Sequence, residues 1–327
     1  MHFSQHFNYN FDLNRNNLVY LTGATGFVGR HVLSELLAQG FYVYCIISGK
    51  RLIDELQHPK VQYCEIDFLD ASFETKITDL FSKQPADFII HSAWYTEHKN
   101  YVSATVNIKW AESSKILIDA FYAHGGKRFI GLGTCIEYDF NYVNGQPISL
   151  NTPIKGSTLY AKCKIEVFNH LKNLQEKAGI DYVWARLFFI YGPYDKKGRL
   201  IPYIYEQIML NKQAIPRFGA SQRDYIFVKD LARQLVAIVR HTYQGAINMG
   251  TEHPFKIQDI FDSIGRIMHK KHLVIKNDVL SNNTEYEPYS IVADLTEWHK
   301  MNQDFEFTPL TEGLQQTVSW MRENYAL

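Results

Sequence analysis

The 327-residue chain carries 34 basic and 34 acidic side chains, a formal net charge of zero, and 46% of its residues are hydrophobic. A neutral balance gives no support for nucleic acid or an anionic membrane surface as the main partner, and the length suits one large α/β unit with a smaller appended lobe. Cys45, Cys64, Cys135 and Cys163 form no CxxC pair and no zinc spacing, so free thiols in a reducing compartment and no metal site are expected.

Residues 1–17 lack the basic-then-apolar pattern of a secretory signal and read as a flexible polar tail. No run reaches the roughly 18 apolar residues of a membrane span, so a cytoplasmic protein is expected. Short β-rich runs then alternate with helical patterns, which predicts parallel strands joined by crossover helices. Strands are predicted at Leu18–Leu21, Phe41–Ile47, Val61–Ile66, Asp87–His91, Arg128–Leu132 and Asp181–Phe188. Helices are predicted at Phe27–Leu37, at about Val102–Tyr122, and from near Thr158 after a loop over 139–158.

Beyond Tyr191 the pattern is less regular, with a short helix at Leu200–Leu210, a helix at Val228–His241 and a strand at Ala246–Met249. Ile257–Met268, Leu273–Ile275 and Thr311–Tyr325 complete a mixed α/β tail. The expected fold is a doubly wound parallel-sheet Rossmann domain over 18–190 that also receives about 225–250. A smaller, interleaved mixed α/β lobe over 191–224 and 251–327 would bind the substrate.

Thr22-Gly23-Ala24-Thr25-Gly26-Phe27-Val28-Gly29 lies between the first strand and the first helix. Glycines there permit a tight turn and close approach of a pyrophosphate to the free N–H groups of the helix start. TGATGFVG resembles the GxxGxxG fingerprint of extended short-chain dehydrogenases, also called the NAD-dependent epimerase/dehydratase family. The resemblance runs from about Leu18 to Trp320 and implies dinucleotide contacts from Gly23, Thr25, Gly26, Phe27, Val28 and Gly29. It also implies an adenine contact from Asp67, beside Phe68, although a short acid at a strand end is commonly a turn former. Ser92, Ala93 and Trp94 resemble the loop bordering the nicotinamide ribose. Asn107 falls where the family orients a water beside its catalytic lysine.

The family's NAD-preferring members carry an acid after the second strand to hold both ribose hydroxyls. Here the chain reads Ile46-Ile47-Ser48-Gly49-Lys50-Arg51, with no acid until Asp54. Ser48, Lys50 and Arg51 suit a 2′-phosphate, which a carboxylate would repel, so NADP (as NADPH) is the expected cofactor.

Tyr160-Ala161-Lys162-Cys163-Lys164 fits YxxxK. Four residues apart on a helix, the Lys ammonium shares a face with the phenol and is expected to lower its pKa. Thr134, ending the fifth strand, resembles the family's Ser or Thr that hydrogen-bonds the reacting oxygen. Thr134, Tyr160 and Lys164 form the expected catalytic triad, with Tyr160 and Lys164 also meeting the cofactor. Arg186–Pro193 resembles RxxNxYGP, with Phe189 in place of the Asn, which leaves that substrate contact in question. Arg199 and Arg223 resemble substrate-lobe positions, Arg223 as a ligand of a nucleotide diphosphate or as a surface ion pair with Asp224 or a neighbour.

Within the family, dehydratases carry Asp-Glu after the catalytic Thr, whereas this chain has Cys135-Ile136. The His that epimerase/reductases place beyond the YGP turn is absent from Tyr194-Asp195-Lys196-Lys197. The segments HSAWYTEH and GTCIEYD resemble a bacterial subgroup of nucleotide-sugar 4-ketoreductases. The resemblance therefore implies NADPH-dependent reduction of a 4-keto-6-deoxyhexose on a nucleoside diphosphate, for surface-polysaccharide synthesis, by a homodimer. A 4-epimerase with retained NAD and a non-catalytic NADP sensor are the alternatives. If a base for C3 or C5 has been overlooked, Cys135, Glu137 and His91 are the first suspects.

Overall fold

The computed structural model describes residues 17–49, 53–97, 100–281 and 288–325. Seven parallel strands form the main sheet: β1 (Leu18–Thr22), β2 (Tyr42–Ile47), β3 (Val61–Glu65), β4 (Phe88–His91), β5 (Arg128–Thr134), β6 (Asp181–Leu187) and β9 (Gly245–Met249). Their spatial order is β3-β2-β1-β4-β5-β6-β9. All of β1, and all of β6 after its first residue, is buried, as expected of strands covered on both faces.

The helices sort onto the two faces by their apolar stripes. On one face α1 (Phe27–Ala38) packs beside α6 (Val228–Ala237), with Val32, Leu33 and Leu36 meeting Leu231, Ala232 and Leu235 in one core. The other face carries α2 (Phe73–Lys83), α3 (Val106–Ala123) and α4 (Leu159–Ala178) over a second core. The residues between the third and fourth strands were assigned no helix from sequence. Phe73, Ile77 and Phe81 at four-residue spacing nonetheless bury one stripe of α2, and a mostly polar outer face masks the pattern. Thr158 caps α4, its hydroxyl accepting the N–H of Ala161 at 3.2 Å.

The remaining elements, all but one, build a lobe around a second, four-stranded sheet. They are β7 (Phe189–Tyr191), α5 (Leu200–Met209), β8 (Gln222–Phe227), β10 (Pro254–Lys256), α7 (Ile257–Ile267), β11 (Ser290–Ile291), α8 (Thr296–Met301) and α9 (Leu310–Asn324). The exception is α8, which packs back on β9 and buries Trp298 in the core of the main sheet. In this sheet β8 pairs in parallel with β7 and β11 and antiparallel with β10. Leu273–Ile275 of the mixed α/β tail is the end of a 3₁₀ turn followed by one isolated bridge from Val274 to Ala214. The helix predicted to run to His241 ends at Ala237, because the following residues turn towards β9.

Strand order reverses between β1 and β4, so the loops leaving them diverge and open a crevice at the carboxyl edge of the sheet. No helix among the described residues is long and apolar enough to cross a membrane.

Candidate active site

The crevice at the sheet's carboxyl edge is a cavity of about 400 Å³. It is lined by Gly23, Gly26, Phe27, Val28 and Gly29 of the first loop, Ser92, Ala93 and Trp94 of the fourth-strand loop, and Thr134, Tyr160 and Lys164. Phe189 and Arg199 close it from the lobe. A more open cleft of about 750 Å³ lies between α1 and α9 and contains none of these groups.

The glycine loop fits a dinucleotide by its packing. Gly23 has φ 73°, and a side chain there would meet the backbone of Ala93 at 2.8 Å. A Cβ on Gly29 would lie 2.0 Å from the Gly23 carbonyl oxygen. The loop is thus pressed against both α1 and the loop after β4, and no side chain caps the start of α1. Those first-turn N–H groups face the cavity with the positive end of the helix dipole, which is the donor set a pyrophosphate takes.

Thr134 ends β5 and starts a 3₁₀ turn over Cys135–Glu137. Its N–H donates to Glu137 Oε1 at 2.9 Å, and Glu137 is itself buried against Arg186 Nε at 2.8 Å and Trp184 Nε1 at 3.1 Å. A buried ion pair inside the sheet thereby fixes the backbone that aims Thr134. Lys164 is 3% exposed, and its ammonium donates to the Leu132 carbonyl at 2.7 Å. It also lies 3.7 Å from the centroid of the Trp94 ring and 5.8 Å from that of Tyr160.

Burial lowers the Lys164 pKa to about 7 and raises the Tyr160 phenol above its ordinary range. The expected lowering of the phenol by Lys164 is not found. Desolvation acts on both groups, and a lysine with its pKa near 7 is already neutral in the range where a phenol ionises. Tyr160 therefore holds its proton at neutral pH, and Arg199 only partly offsets the effect.

Other expected residues take different places. Lys50 and Arg51 lie outside the described residues, and Ser48 is exposed at the end of β2. Thr25 is half-buried in the glycine loop without lining the cavity. Asp67 is exposed and its carboxylate accepts the N–H of Leu69 at 2.9 Å, the bond of a turn former. Phe68 is 2% exposed, stacks on His91 and Trp110 and meets Phe73 at a tilt, so its ring belongs to the core. Asn107 donates to the carbonyls of Tyr101 and Ala104 and accepts the Trp94 indole N–H at 2.8 Å. The indole thus bridges Asn107 and Lys164, in the place where the resemblance put a water.

Arg223 is 6% exposed and donates to the carbonyls of Gln222 and Tyr289, away from the cavity wall. The surface pair with Asp224 is not formed, because Asp224 instead accepts from Thr251, Glu252 and Ala293. Of the suspected bases, His91 is buried between the hydroxyls of Thr22 and Ser114, and desolvation, with the Lys164 charge, lowers its pKa to about 3. Glu137 is spent on Arg186 and Trp184. Cys135 does line the cavity, but burial pushes its thiol up to about 12.

Sequence reasoning missed Tyr101 and Asp195 on the cavity wall and gave Tyr225 no separate role. Tyr101 packs edge-on to Tyr160 at 5.1 Å, and Arg199 lies over its ring at 5.5 Å. Asp195 directly follows the YGP-type turn, a position the motif itself could have flagged.

Known proteins point the same way as the geometry. The CDP-abequose synthase of Salmonella muenchen is 24% identical over 315 residues, covering 94% of this chain and 99% of that one. The UDP-N-acetylglucosamine 4-epimerase of Methanobrevibacter ruminantium M1, solved with UDP-N-acetylmuramic acid, superposes with a TM-score of 0.82 at 22% identity, covering 95% and 99% of the two chains. The Bordetella bronchiseptica enzyme WbmH, solved with NAD+, gives 0.78 at 24% identity, covering 94% and 99%. Residues 19–250, spanning every strand of the main sheet but the first residue of β1, match the family profile itself. With its glycine loop, its Thr134, Tyr160 and Lys164 in one crevice, and this match, the chain belongs to the NAD-dependent epimerase/dehydratase family.

Proposed function

We propose that this chain uses NADPH to reduce the C4 keto group of a nucleoside-diphosphate 4-keto-6-deoxyhexose, in surface-polysaccharide sugar biosynthesis. The observation carrying this reading is the make-up of the cavity around Thr134. Tyr160 and Lys164 are present, but the next two residues are a buried thiol and Ile136, with no acid–base pair for elimination beside the triad. A phenol kept protonated by burial suits the reductive direction. The Thr134 hydroxyl and Tyr160 address the keto oxygen, Tyr160 gives that oxygen its proton, and solvent reprotonates the phenol. When bound, the dinucleotide supplies the hydride that C4 gains.

The loop after β2 favours NADPH, because Ile47-Ser48-Gly49-Lys50-Arg51 offers hydroxyl and cationic groups and no carboxylate. Residues 191–224 and 251–327 are assigned as the substrate lobe, with Arg199 as its phosphate-facing cation. A homodimer through α3 and α4 is supported by Ile108, 45% exposed, and by half-buried Ile116, Ile165 and Phe168; Leu117 is 0% exposed in the sheet core and takes no part.

The test is NADPH oxidation in deuterated water with 4-keto-6-deoxyglucose on CDP, GDP, dTDP and UDP. One of them should consume NADPH stoichiometrically, well ahead of NADH, and give a product without solvent deuterium at C3 or C5. Turnover of a 4-hydroxy sugar without added NADPH, by protein purified with NAD attached, would establish a 4-epimerase instead.

A further inference from the structure

Among the described residues one carboxylate lines the cavity, that of Asp195, and the proposed reduction does not use it. Asp195 follows the turn Tyr191-Gly192-Pro193-Tyr194, in which Tyr194 has φ 70°. That left-handed conformation costs a non-glycine residue on the order of 1 kcal/mol and persists only where packing enforces it. Here the Tyr194 ring is clamped, with the Arg30 guanidinium 3.3 Å from its centroid and the Trp320 ring at 4.5 Å. The turn swings Asp195 back into the cavity wall, where it is 5% exposed.

Few groups answer its charge. Its Oδ1 accepts the N–H of Lys196 at 2.8 Å, the single bond its carboxylate makes among the described residues. Lys196 and Arg199 act on it from its own loop without an ion pair, Tyr225 faces it from β8, and the Tyr325 hydroxyl beyond α9 donates to its backbone carbonyl at 2.8 Å. A carboxylate offers about four acceptor positions, and among the described residues a protein donor takes one of them.

We propose that Asp195 recognises the sugar itself, its ionised carboxylate accepting a hydrogen bond from a hydroxyl of the hexose being reduced. The inference rests on the nucleotide-sugar reading above. A phosphate is the wrong partner for this position, since two anions in a desolvated wall repel, whereas Arg199 on the same loop is free to take the diphosphate side. Burial pushes the Asp195 carboxyl up to about 7, so near neutrality it carries a proton part of the time. A hydroxyl donor favours the ionised form and expels that proton on binding. A diphosphate placed there would have the opposite effect and draw a proton in.

The experiment is calorimetry of the full chain at pH 6.5, in two buffers of different ionisation enthalpy, with wild type and Asp195→Asn. The ligands are the four 4-keto-6-deoxyglucose nucleotides and the four nucleoside diphosphates alone. With the sugar nucleotide, wild type should release a substantial fraction of a proton more than Asp195→Asn does, and with the diphosphate, whose own terminal phosphate titrates near this pH, the two proteins should exchange the same number. Asp195→Asn should bind the sugar nucleotide roughly tenfold more weakly at pH 8. Equal proton release by both proteins, or affinities within about twofold, would overturn the assignment while leaving the reductase reading intact. No binding of any sugar nucleotide by wild type would sink both.

Thermal unfolding without ligand checks the variant's fold and the carboxylate's state. The folded pKa is raised above the unfolded value of about 3.9, so the wild type loses stability as pH rises from about 4 to 7. Asp195→Asn should therefore melt a few degrees above wild type at pH 8 and no higher at pH 4. A lower melting temperature at pH 8 would mean the carboxylate is already satisfied, and would refute the proposal.

Discussion

The half built on the seven-stranded sheet and the lobe beyond Tyr191 follow different rules within the same chain. In the first, most strands pair with a neighbour reached by one crossover helix, and the site emerges where the strand order reverses. In the second, β8 collects partners from far along the sequence: β7 from 189–191, β10 from 254–256 and β11 from 290–291. What joins those distant pieces is polar. Asp224 is fully buried and gathers the N–H groups of Thr251, Glu252 and Ala293 together with the Thr251 hydroxyl. The first half thus positions chemistry by repeated backbone geometry, and the second by single side chains that staple loops.

Breaking each half in its own way should separate chemistry from architecture. The largest effect is expected for Tyr160→Phe, which removes the proposed proton donor and little else. Turnover should fall by roughly 10²–10⁴-fold while dinucleotide affinity, read by fluorescence titration, stays within a few-fold.

Asp224→Ala should do the reverse. Three N–H groups and a hydroxyl lose their acceptor inside the lobe, at about 2–4 kcal/mol. Hydrogen exchange should quicken around 250–256 and 290–294 and leave β1 and α1 protected, so uniform quickening across the chain would show that the two halves unfold as one.

A smaller change is expected for Lys164→Met, and it carries a sign. The folded pKa of Lys164 is about 7 against about 10.4 unfolded, so between those values the unfolded state binds more protons and stability rises with pH. The variant, free of that cost, should gain on the order of 1–2 kcal/mol at pH 7, a gain that fades towards pH 10 while activity is lost throughout. Denaturant titration at the two pH values measures it.

Much of the first half was legible because its signals are local. A strand, a glycine turn and an amphipathic helix in succession place Gly23 to Gly29, and a spacing of four places Tyr160 over Lys164. Helix α2 escaped notice because only Phe73, Ile77 and Phe81 mark its buried stripe. The roles of Phe68, Asn107 and Arg223 were not legible. Each depends on what surrounds the side chain: a ring stack for Phe68, an indole for Asn107, and neighbouring carbonyls for Arg223.

Residue order alone determined the parallel α/β sheet, the glycine loop and the identity of Thr134, Tyr160 and Lys164, since hydrophobic period and turn chemistry are short-range properties. Tertiary structure decided the protonation of those groups. Whether Tyr160 keeps its proton and Lys164 sheds part of its charge depends on desolvation by the packed surroundings, and where Asp195 lies depends on a turn clamped by Arg30 and Trp320 from distant helices.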